Sequence, residues 1–280
     1  MYRQSIKFIS VILSIIFLMV VTMFGLFYFF QERMLFYPQP LTEEEVNVIN
    51  EQYVHIEETE IQVTNDKTIH GWFINHEPKS ATPSPVLIYF GGNAEEVSHL
   101  ITDTKKIDGW SIILMNYRGY GLSEGSPSEE AMFHDALAIY DHVKNKGNVD
   151  ETQIAVMGRS MGTGPAVYLS SERDVTGTIL VSPYDSLTNV AKDRYPFIPV
   201  SILLKHHFDN ISRAPFIETP LLTLIASDDQ IIQPNHSKSL VEKWSGESEK
   251  VVFDEKNHNN IQSSDNYWAE ITNFLKTVEK

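Results

Sequence analysis

The pattern G-x-S-x-G occurs in this chain as Gly158-Arg159-Ser160-Met161-Gly162, and its surroundings decide the fold. Residues 153–157, just before it, form a short apolar run that is typical of a buried strand. Residues 163–170, just after it, have the composition of a helix start. A strand, a tight turn and a helix in this order predict a nucleophile elbow, in which the Ser160 hydroxyl is exposed on a strained turn.

Apolar runs of strand length alternate with helical segments along most of the chain. The expected strands are residues 86–90, 111–115, 154–157, 178–181, 221–225 and 250–253, and the expected helices are near 95–107, 128–146, 163–170, 234–244 and 263–278. Such alternation predicts an α/β fold with a doubly wound, mostly parallel sheet covered on both faces. Upstream, residues 54–63 and 68–74 suit an antiparallel hairpin.

The segment between the strands ending at Val181 and beginning at Leu221 is too long for one helix. Helical stretches at 185–195 and 200–208 are separated by the helix-breaking Pro196-Phe197-Ile198-Pro199. We expect a small helical insertion, about residues 185–215, that covers the site as a lid. An ordinary bent crossover is the alternative.

Residues 8–30 form a run of 23 residues without a charge. As a helix, this run would measure roughly 34 Å, enough to cross a hydrocarbon core of about 30 Å. The sequence therefore predicts an N-terminal membrane anchor over 1–33 that contains one transmembrane helix, a connector over 34–53 and a catalytic domain over 54–280. A cleaved signal peptide and a buried core helix are the competing interpretations.

Charge separates the anchor from the rest of the chain. Arg3 and Lys7 precede the apolar run, so the positive-inside rule favours a cytoplasmic N-terminus with the domain on the periplasmic, extracellular or lumenal side. The whole chain has a formal net charge of −15, whereas residues 1–33 carry +2. A surface this acidic repels nucleic acid. We expect a monomer without a nucleic-acid partner.

A serine nucleophile needs a base, and that base is oriented by an acid. The expected strand 221–225 is followed by adjacent Asp228 and Asp229, and the expected strand 250–253 is followed by His258. The chain order Ser, Asp, His suits a doubly wound hydrolase. No cysteine and no H-E-x-x-H spacing is present, so neither a metal nor a cofactor is predicted.

A tetrahedral intermediate also needs two backbone N–H donors for its oxyanion. Met161, directly after the nucleophile, supplies the first. The second should come from the loop Gly91-Gly92-Asn93-Ala94, which follows the strand 86–90. Asn93 is the preferred donor and Gly92 the alternative.

These motifs together carry a resemblance over residues 50–280. The four stretches are Phe90-Gly91-Gly92-Asn93-Ala94, Asn116-Tyr117-Arg118-Gly119-Tyr120-Gly121-Leu122-Ser123-Glu124-Gly125, Gly158-Arg159-Ser160-Met161-Gly162 and Ser182-Pro183-Tyr184-Asp185-Ser186-Leu187. The chain resembles the α/β-hydrolase superfamily and, more narrowly, membrane-anchored abhydrolase-domain proteins that include depalmitoylase-like serine hydrolases.

The resemblance implies Ser160 as nucleophile, Asp229 rather than Asp228 as acid, and His258 as base. It also implies a single span before the domain. The family usually has His-Gly where this chain has Gly91-Gly92. We therefore expect a serine hydrolase of carboxylic esters or thioesters, acting on a small molecule or an acylated protein. A peptidase of the aminopeptidase type and a non-catalytic binding protein are the alternatives.

Overall fold

The computed structural model describes residues 2–53, 56–75 and 82–279 of the 280-residue chain. Its strands are β1 (Ile56–Thr64), β2 (Lys67–Ile74), β3 (Ser84–Phe90), β4 (Ser111–Met115), β5 (Val149–Arg159), β6 (Thr178–Val181), β7 (Leu221–Ala226) and β8 (Ser248–Phe253). Its α-helices are α1 (Tyr2–Leu35), α2 (Glu43–Gln52), α3 (Glu129–Lys144), α4 (Thr163–Glu172), α5 (Leu187–Arg194), α6 (Val200–Leu203), α7 (Asn210–Arg213), α8 (Pro234–Lys243) and α9 (Tyr267–Val278).

The strands form one sheet in the order β1-β2-β4-β3-β5-β6-β7-β8. β1, β2 and β4 pair antiparallel, and all the other pairs are parallel. The predicted doubly wound, mostly parallel sheet is confirmed, as is the hairpin, although its predicted residues 54–55 lie outside the described residues. From β3 the chain runs outward to β4 and then returns to β5 on the other side. This reversal opens a crevice at the carboxyl ends of β3 and β5, where ligands bind in open α/β sheets.

Helices bury an apolar layer on each face of the sheet. One layer packs under α3, α4 and α8, and the other packs under α2 and α9. In α9 the buried side chains are Tyr267, Ile271, Phe274, Leu275 and Val278, a spacing that places them on one helical stripe. Burying one such large side chain stabilises the fold by about 1.5–3 kcal/mol.

The single helix predicted near 95–107 is wrong. The segment instead forms two short 3-10 helices, Val97–Leu100 and Asp103–Lys106. Polar side chains bind the local backbone here: the Glu96 carboxylate accepts from the Ser98 N–H, and the Thr104 hydroxyl donates to the Ile101 carbonyl at 2.7 Å. Such local bonds compete with a continuous α-helix.

The insertion over 185–215 contains α5, α6 and α7. The helix predicted over 200–208 ends already at Leu203. The side chain of Gln31 donates to the Leu203 carbonyl at 2.9 Å and accepts from the Lys205 N–H at 2.8 Å. Contacts with α1 thus occupy backbone groups that a longer helix would have used internally.

Helix α1 lies outside the sheet layers. Its segment Gln4–Leu35 is long and apolar enough to cross a membrane, and its most apolar stretch is not buried against the domain. A core helix would bury such a face, so that interpretation is wrong.

The Thr42 hydroxyl and the Glu45 carboxylate form a capping box that starts α2, which suits the acidic first turn of that helix.

Candidate active site

Ser160 lies at the sharp turn between β5 and α4. Its φ of +50° is in the left-handed region that non-glycine residues rarely adopt. A Cβ at Gly158 would collide with the Gly162 carbonyl oxygen, and a Cβ at Gly162 would collide with the Phe90 carbonyl oxygen. Glycines at these two positions therefore let β3, β5 and α4 pass close enough to hold the turn in its strained form.

Three side chains from the ends of three strands meet at this turn. His258 Nε2 lies 2.8 Å from Ser160 Oγ, and His258 Nδ1 lies 2.7 Å from Asp229 Oδ2. Asp229 and His258 are 3% and 8% exposed, and Ser160 is half-buried. The three residues predicted to act together are therefore brought into one hydrogen-bonded chain, with only its serine end open to solvent.

The surroundings of Asp229 favour its charged form. Burial alone would raise the pKa of this carboxyl, but the bond from His258 and the Ile232 N–H outweigh burial, and the pKa lies below its usual value. Oδ1 accepts the N–H groups of Ile231 and Ile232 at 2.9 and 2.8 Å. Because a carboxylate only accepts, His258 Nδ1 must donate to it, which leaves Nε2 as an acceptor for the Ser160 hydroxyl.

The neighbouring Asp228 has a different environment. Its side chain is exposed, and its carboxylate accepts from the Ser227 hydroxyl at 3.2 Å. No hydrogen bond joins it to His258 among the described residues. Of the two adjacent acids in the sequence, only Asp229 faces the histidine.

The two predicted oxyanion donors lie in loops braced by other groups. The Tyr184 hydroxyl donates to the Met161 carbonyl at 3.1 Å. The Gly92 N–H donates to Glu95 Oε2 at 2.6 Å, so the alternative donor is already engaged. Across the described ranges, the N–H groups of Met161 and Asn93 donate to no side chain and take part in no loop or turn hydrogen bond. Both remain available to a ligand.

The side chain of Asn93 has a role that its sequence position did not reveal. It donates to the Leu35 carbonyl at 2.6 Å and accepts from the Tyr37 N–H and the Tyr120 hydroxyl at 3.1 and 3.0 Å. The loop after β3 is thereby fastened to the residues that follow α1. No local pattern could have signalled the contacts with Leu35 and Tyr37, because these residues lie 58 and 56 positions upstream.

Glu95 is a buried acid that the sequence reasoning also missed. It accepts from the Tyr89 hydroxyl at 2.8 Å, from the Gly92 N–H and from Arg159 Nη1 at 3.1 Å. Arg159 in turn donates to the His258 carbonyl at 3.3 Å. A carboxylate three residues after a glycine pair was the available signal. Glu95 and Arg159 connect the loop after β3 with the loop that holds His258.

The G-x-S-x-G pattern occurs a second time, as Gly121-Leu122-Ser123-Glu124-Gly125. Ser123 is 7% exposed; its Oγ donates to the Asn116 carbonyl at 3.0 Å and accepts the His70 N–H at 2.8 Å. No helix follows this loop before Glu129. The second serine therefore stabilises a loop, whereas Ser160 faces the His258 imidazole.

His236 forms a second histidine–aspartate pair that the sequence reasoning assigned only to a helix start. Its Nδ1 lies 2.9 Å from Asp185 Oδ1, and its Nε2 lies 3.3 Å from Asp193 Oδ2. Within the described residues, no group of three or more His, Asp or Glu side chains is arranged to hold a metal ion.

Comparisons with known proteins bear on the family of the chain. A family model described as serine aminopeptidase, S33, matches residues 83–211. An uncharacterized membrane protein of Saccharomyces cerevisiae is 31% identical over 218 residues, covering 76% of each chain. The alpha/beta hydrolase domain-containing protein WAV2 of Arabidopsis thaliana is 25% identical over 251 residues, covering 80% of this chain and 79% of its own.

Solved structures give the same fold. An esterase of Pyrococcus furiosus superposes with a TM-score of 0.67 at 19% identity, covering 87% of this chain and 99% of its own. At that identity the likeness is one of fold alone. The sheet order, the strained serine turn, the family model and the relatives lead to one conclusion: the chain belongs to the α/β-hydrolase superfamily.

Proposed function

We propose that this protein is a membrane-anchored serine hydrolase that cleaves a carboxylic ester or thioester through an acyl-enzyme. The observation that carries the proposal is the chain from Ser160 Oγ to His258 Nε2 at 2.8 Å and from His258 Nδ1 to Asp229 Oδ2 at 2.7 Å. Its location on a strained turn, at the crevice where the strand order reverses, supports the same role.

In the proposed reaction, Ser160 Oγ attacks the acyl carbon while His258 Nε2 takes its proton. The oxyanion receives hydrogen bonds from the Met161 and Asn93 N–H groups. When the intermediate collapses, His258 returns the proton to the departing alcohol or thiol, and the acyl group stays on Ser160 as an ester. Water, deprotonated by the same imidazole, then attacks the acyl carbon; the bond to Ser160 Oγ breaks, Oγ takes the proton back from His258, and the carboxylic acid leaves. Asp229 keeps its negative charge throughout and stabilises the imidazolium.

The membrane part of the proposal rests on α1. Its length, its apolar composition and its exposed surface favour a single span over residues 8–30. Arg3 and Lys7 support a cytoplasmic N-terminus and a domain on the opposite side. A yeast relative described as a membrane protein is consistent with this location. Alkaline carbonate should leave the protein in the membrane, and protease added to intact cells should cleave the domain.

The test of catalysis is labelling by a fluorophosphonate probe in membrane fractions. Ser160→Ala should abolish labelling and lower kcat by at least about 10³-fold. Ser171→Ala, on the distal part of α4, is the matched control and should label as wild type. Labelling that persists in Ser160→Ala would overturn the proposal and indicate another nucleophile, whereas a wild type that does not label would favour a non-catalytic role.

A peptidase is the second candidate, because the matching family model is described as a serine aminopeptidase. The same triad would then release an amine, which is a poorer leaving group than an alcohol or thiol. A panel that pairs acyl esters and thioesters with aminoacyl amides separates the two. Higher kcat/KM on the amides would replace the proposed ester hydrolase with a peptidase.

A further inference from the structure

The insertion exposes large apolar side chains next to α1. Phe197 and Ile202 are 96% and 81% exposed, and Tyr195 is 49% exposed. They belong to the segment 195–204, which includes α6 and which we call the apolar tip. Side chains of this size rarely stay in water as a group without a partner. We therefore expect another molecule to cover these side chains.

The apolar tip lies against the C-terminal end of the apolar helix. Gln31 holds the Leu203 carbonyl and the Lys205 N–H through its side chain, and Lys205 Nζ lies 3.3 Å from Glu32. The same ammonium lies 5.0 Å from the centre of the Tyr28 ring. If α1 spans a bilayer, residues 28–32 lie where hydrocarbon meets headgroups. The contacts place the apolar tip at that depth.

Charge favours a lipid surface at this place. The insertion, residues 185–215, has a net charge of +1 because it carries Lys192, Arg194, Lys205 and Arg213 against three aspartates. The remainder of the chain after residue 33 is strongly acidic. Anionic headgroups therefore repel the insertion less than they repel the acidic remainder of the domain taken as a whole.

The insertion also borders Ser160. An added Cβ at Gly164, in the first turn of α4, would collide with Phe208 and the Tyr184 hydroxyl. Leu35, at the end of α1, and Tyr37 bind the Asn93 side chain. The insertion therefore contacts the helix that follows the proposed nucleophile, and the end of the anchor contacts the loop that holds the proposed oxyanion donor Asn93.

We propose that the apolar tip is a second membrane contact, with Phe197 and Ile202 inserted into the bilayer interface beside α1. The entrance to Ser160 then faces the lipid surface, and the substrate class is an acyl chain that resides in the bilayer. This inference rests on the proposed membrane anchor and hydrolase activity. The occupant is lipid rather than a second copy of the chain, because the surface continues from a membrane helix.

Phe216 offers a matched control. It is 82% exposed, as prominent as Ile202, but belongs to the 3-10 helix Ala214–Phe216 that leads to the amino end of β7. Ser160 lies at the carboxyl ends of the strands, whereas Phe216 lies near their amino ends, on the opposite side of the domain. The proposal predicts that lipid reaches the first position and not the second.

Insertion is measured with the full chain in vesicles of phosphatidylcholine and phosphatidylglycerol. Bromine on the acyl carbons nearest the glycerol quenches tryptophan at that depth. Phe197→Trp should lose fluorescence relative to unbrominated vesicles beyond the wild-type loss, and Phe216→Trp should not. Equal quenching of the two variants would overturn the proposal, as would burial of Phe197→Trp in a dimer without quenching. Carbonate extraction of the wild type would reveal failure of the anchor itself.

A kinetic readout tests the substrate class. Phe197→Ser with Ile202→Ser should lower kcat/KM on a vesicle-embedded long-chain thioester by about tenfold, since each side chain loses apolar burial. Hydrolysis of a soluble short-chain ester should not change. Phe197→Leu with Ile202→Leu should restore activity on vesicles, and Phe216→Ser should match wild type on both substrates. Equal loss on both substrates would overturn the lipid role while leaving the hydrolase proposal intact.

Discussion

Two buried histidines, His258 and His236, each contact an aspartate through Nδ1, at 2.7 Å to Asp229 and 2.9 Å to Asp185. Both aspartates follow strands of the parallel sheet, Asp229 after β7 and Asp185 after β6. Both histidines are less than 10% exposed. In their contacts through Nδ1 and in their burial, the two pairs are alike.

They differ in what the other ring nitrogen meets. His258 Nε2 faces the Ser160 hydroxyl, whereas His236 Nε2 faces the Asp193 carboxylate at 3.3 Å. Two carboxylates beside one ring favour its protonated form, because negative charge nearby stabilises the imidazolium. The bond to Asp185 accordingly raises the pKa of His236 above its ordinary value. Because its Nε2 meets the Ser160 hydroxyl, His258 is suited to proton transfer. Because its Nε2 meets the Asp193 carboxylate, His236 instead connects the insertion with α8.

The largest expected difference is in catalysis. His258→Gln should lower kcat on a soluble ester by at least about 10³-fold, because glutamine cannot take the proton from Ser160. His236→Gln should retain activity within a few-fold. The measurement is steady-state kinetics of both variants with their thermal unfolding recorded in parallel. Comparable losses in the two folded variants would contradict the assignment of separate roles.

Stability should show the reverse order. His236→Ala leaves the buried Asp185 carboxylate without its histidine partner and should destabilise the domain by about 3 kcal/mol. For a domain of this size the corresponding fall in Tm is roughly 6–12 °C. His258→Ala should shift Tm less, because His258 lies beside one carboxylate whereas His236 lies beside two, those of Asp185 and Asp193. Thermal scans of both variants in the same detergent decide the comparison.

The pH dependence of stability should separate the pairs further. A raised folded-state pKa means that the His236 contribution is complete below its unfolded value of about 6.5 and is lost as pH rises through the folded value. Wild-type Tm should fall over this range more steeply than that of His236→Gln. Matching slopes would contradict a raised pKa of His236 in the folded state.

At acid pH the aspartates act in the opposite sense. Burial would raise the pKa of the Asp185 carboxyl, but hydrogen bonds from His236, Asn189 and the Ser186 N–H outweigh burial and hold it below its usual value. That contribution is present above an unfolded pKa of about 3.9 and is lost as pH falls through the lowered folded value. Asp185→Asn should therefore lessen the acid-induced fall in Tm below about pH 4.

The smallest effect is expected at Asp193, whose side chain is 49% exposed. Asp193→Asn should change stability by about 0–1 kcal/mol, since solvent screens exposed ion pairs. Activity should be unchanged, and the pH at which the His236 contribution is lost should move downward. NMR titration of the histidine side chains, with the full chain in detergent, measures this shift directly.

Much of the fold could be predicted because buried parallel strands have nearly continuous apolar runs. The bounds of β6 and the starts of β4 and β7 agree with the apolar runs at 178–181, 111–115 and 221–225. The nucleophile turn and the strand ends holding Asp229 and His258 followed from the order of these elements. By contrast, the predictions of helices were wrong where other groups form hydrogen bonds with the backbone. These groups are the Thr104 hydroxyl in one segment and α1, at Leu203, in the other.

The sequence by itself determined the alternation of strands and helices, the apolar N-terminal run and the order of serine, acid and histidine. The strands, the helices and the apolar run follow from local composition and hydrophobic periodicity, and the order of the three residues follows from the chain itself. It left Ser160 and Ser123 with the same five-residue pattern, and His258 and His236 each with an aspartate to contact. Only the tertiary structure decided between them, because the group that a hydroxyl or ring nitrogen meets comes from a distant part of the chain.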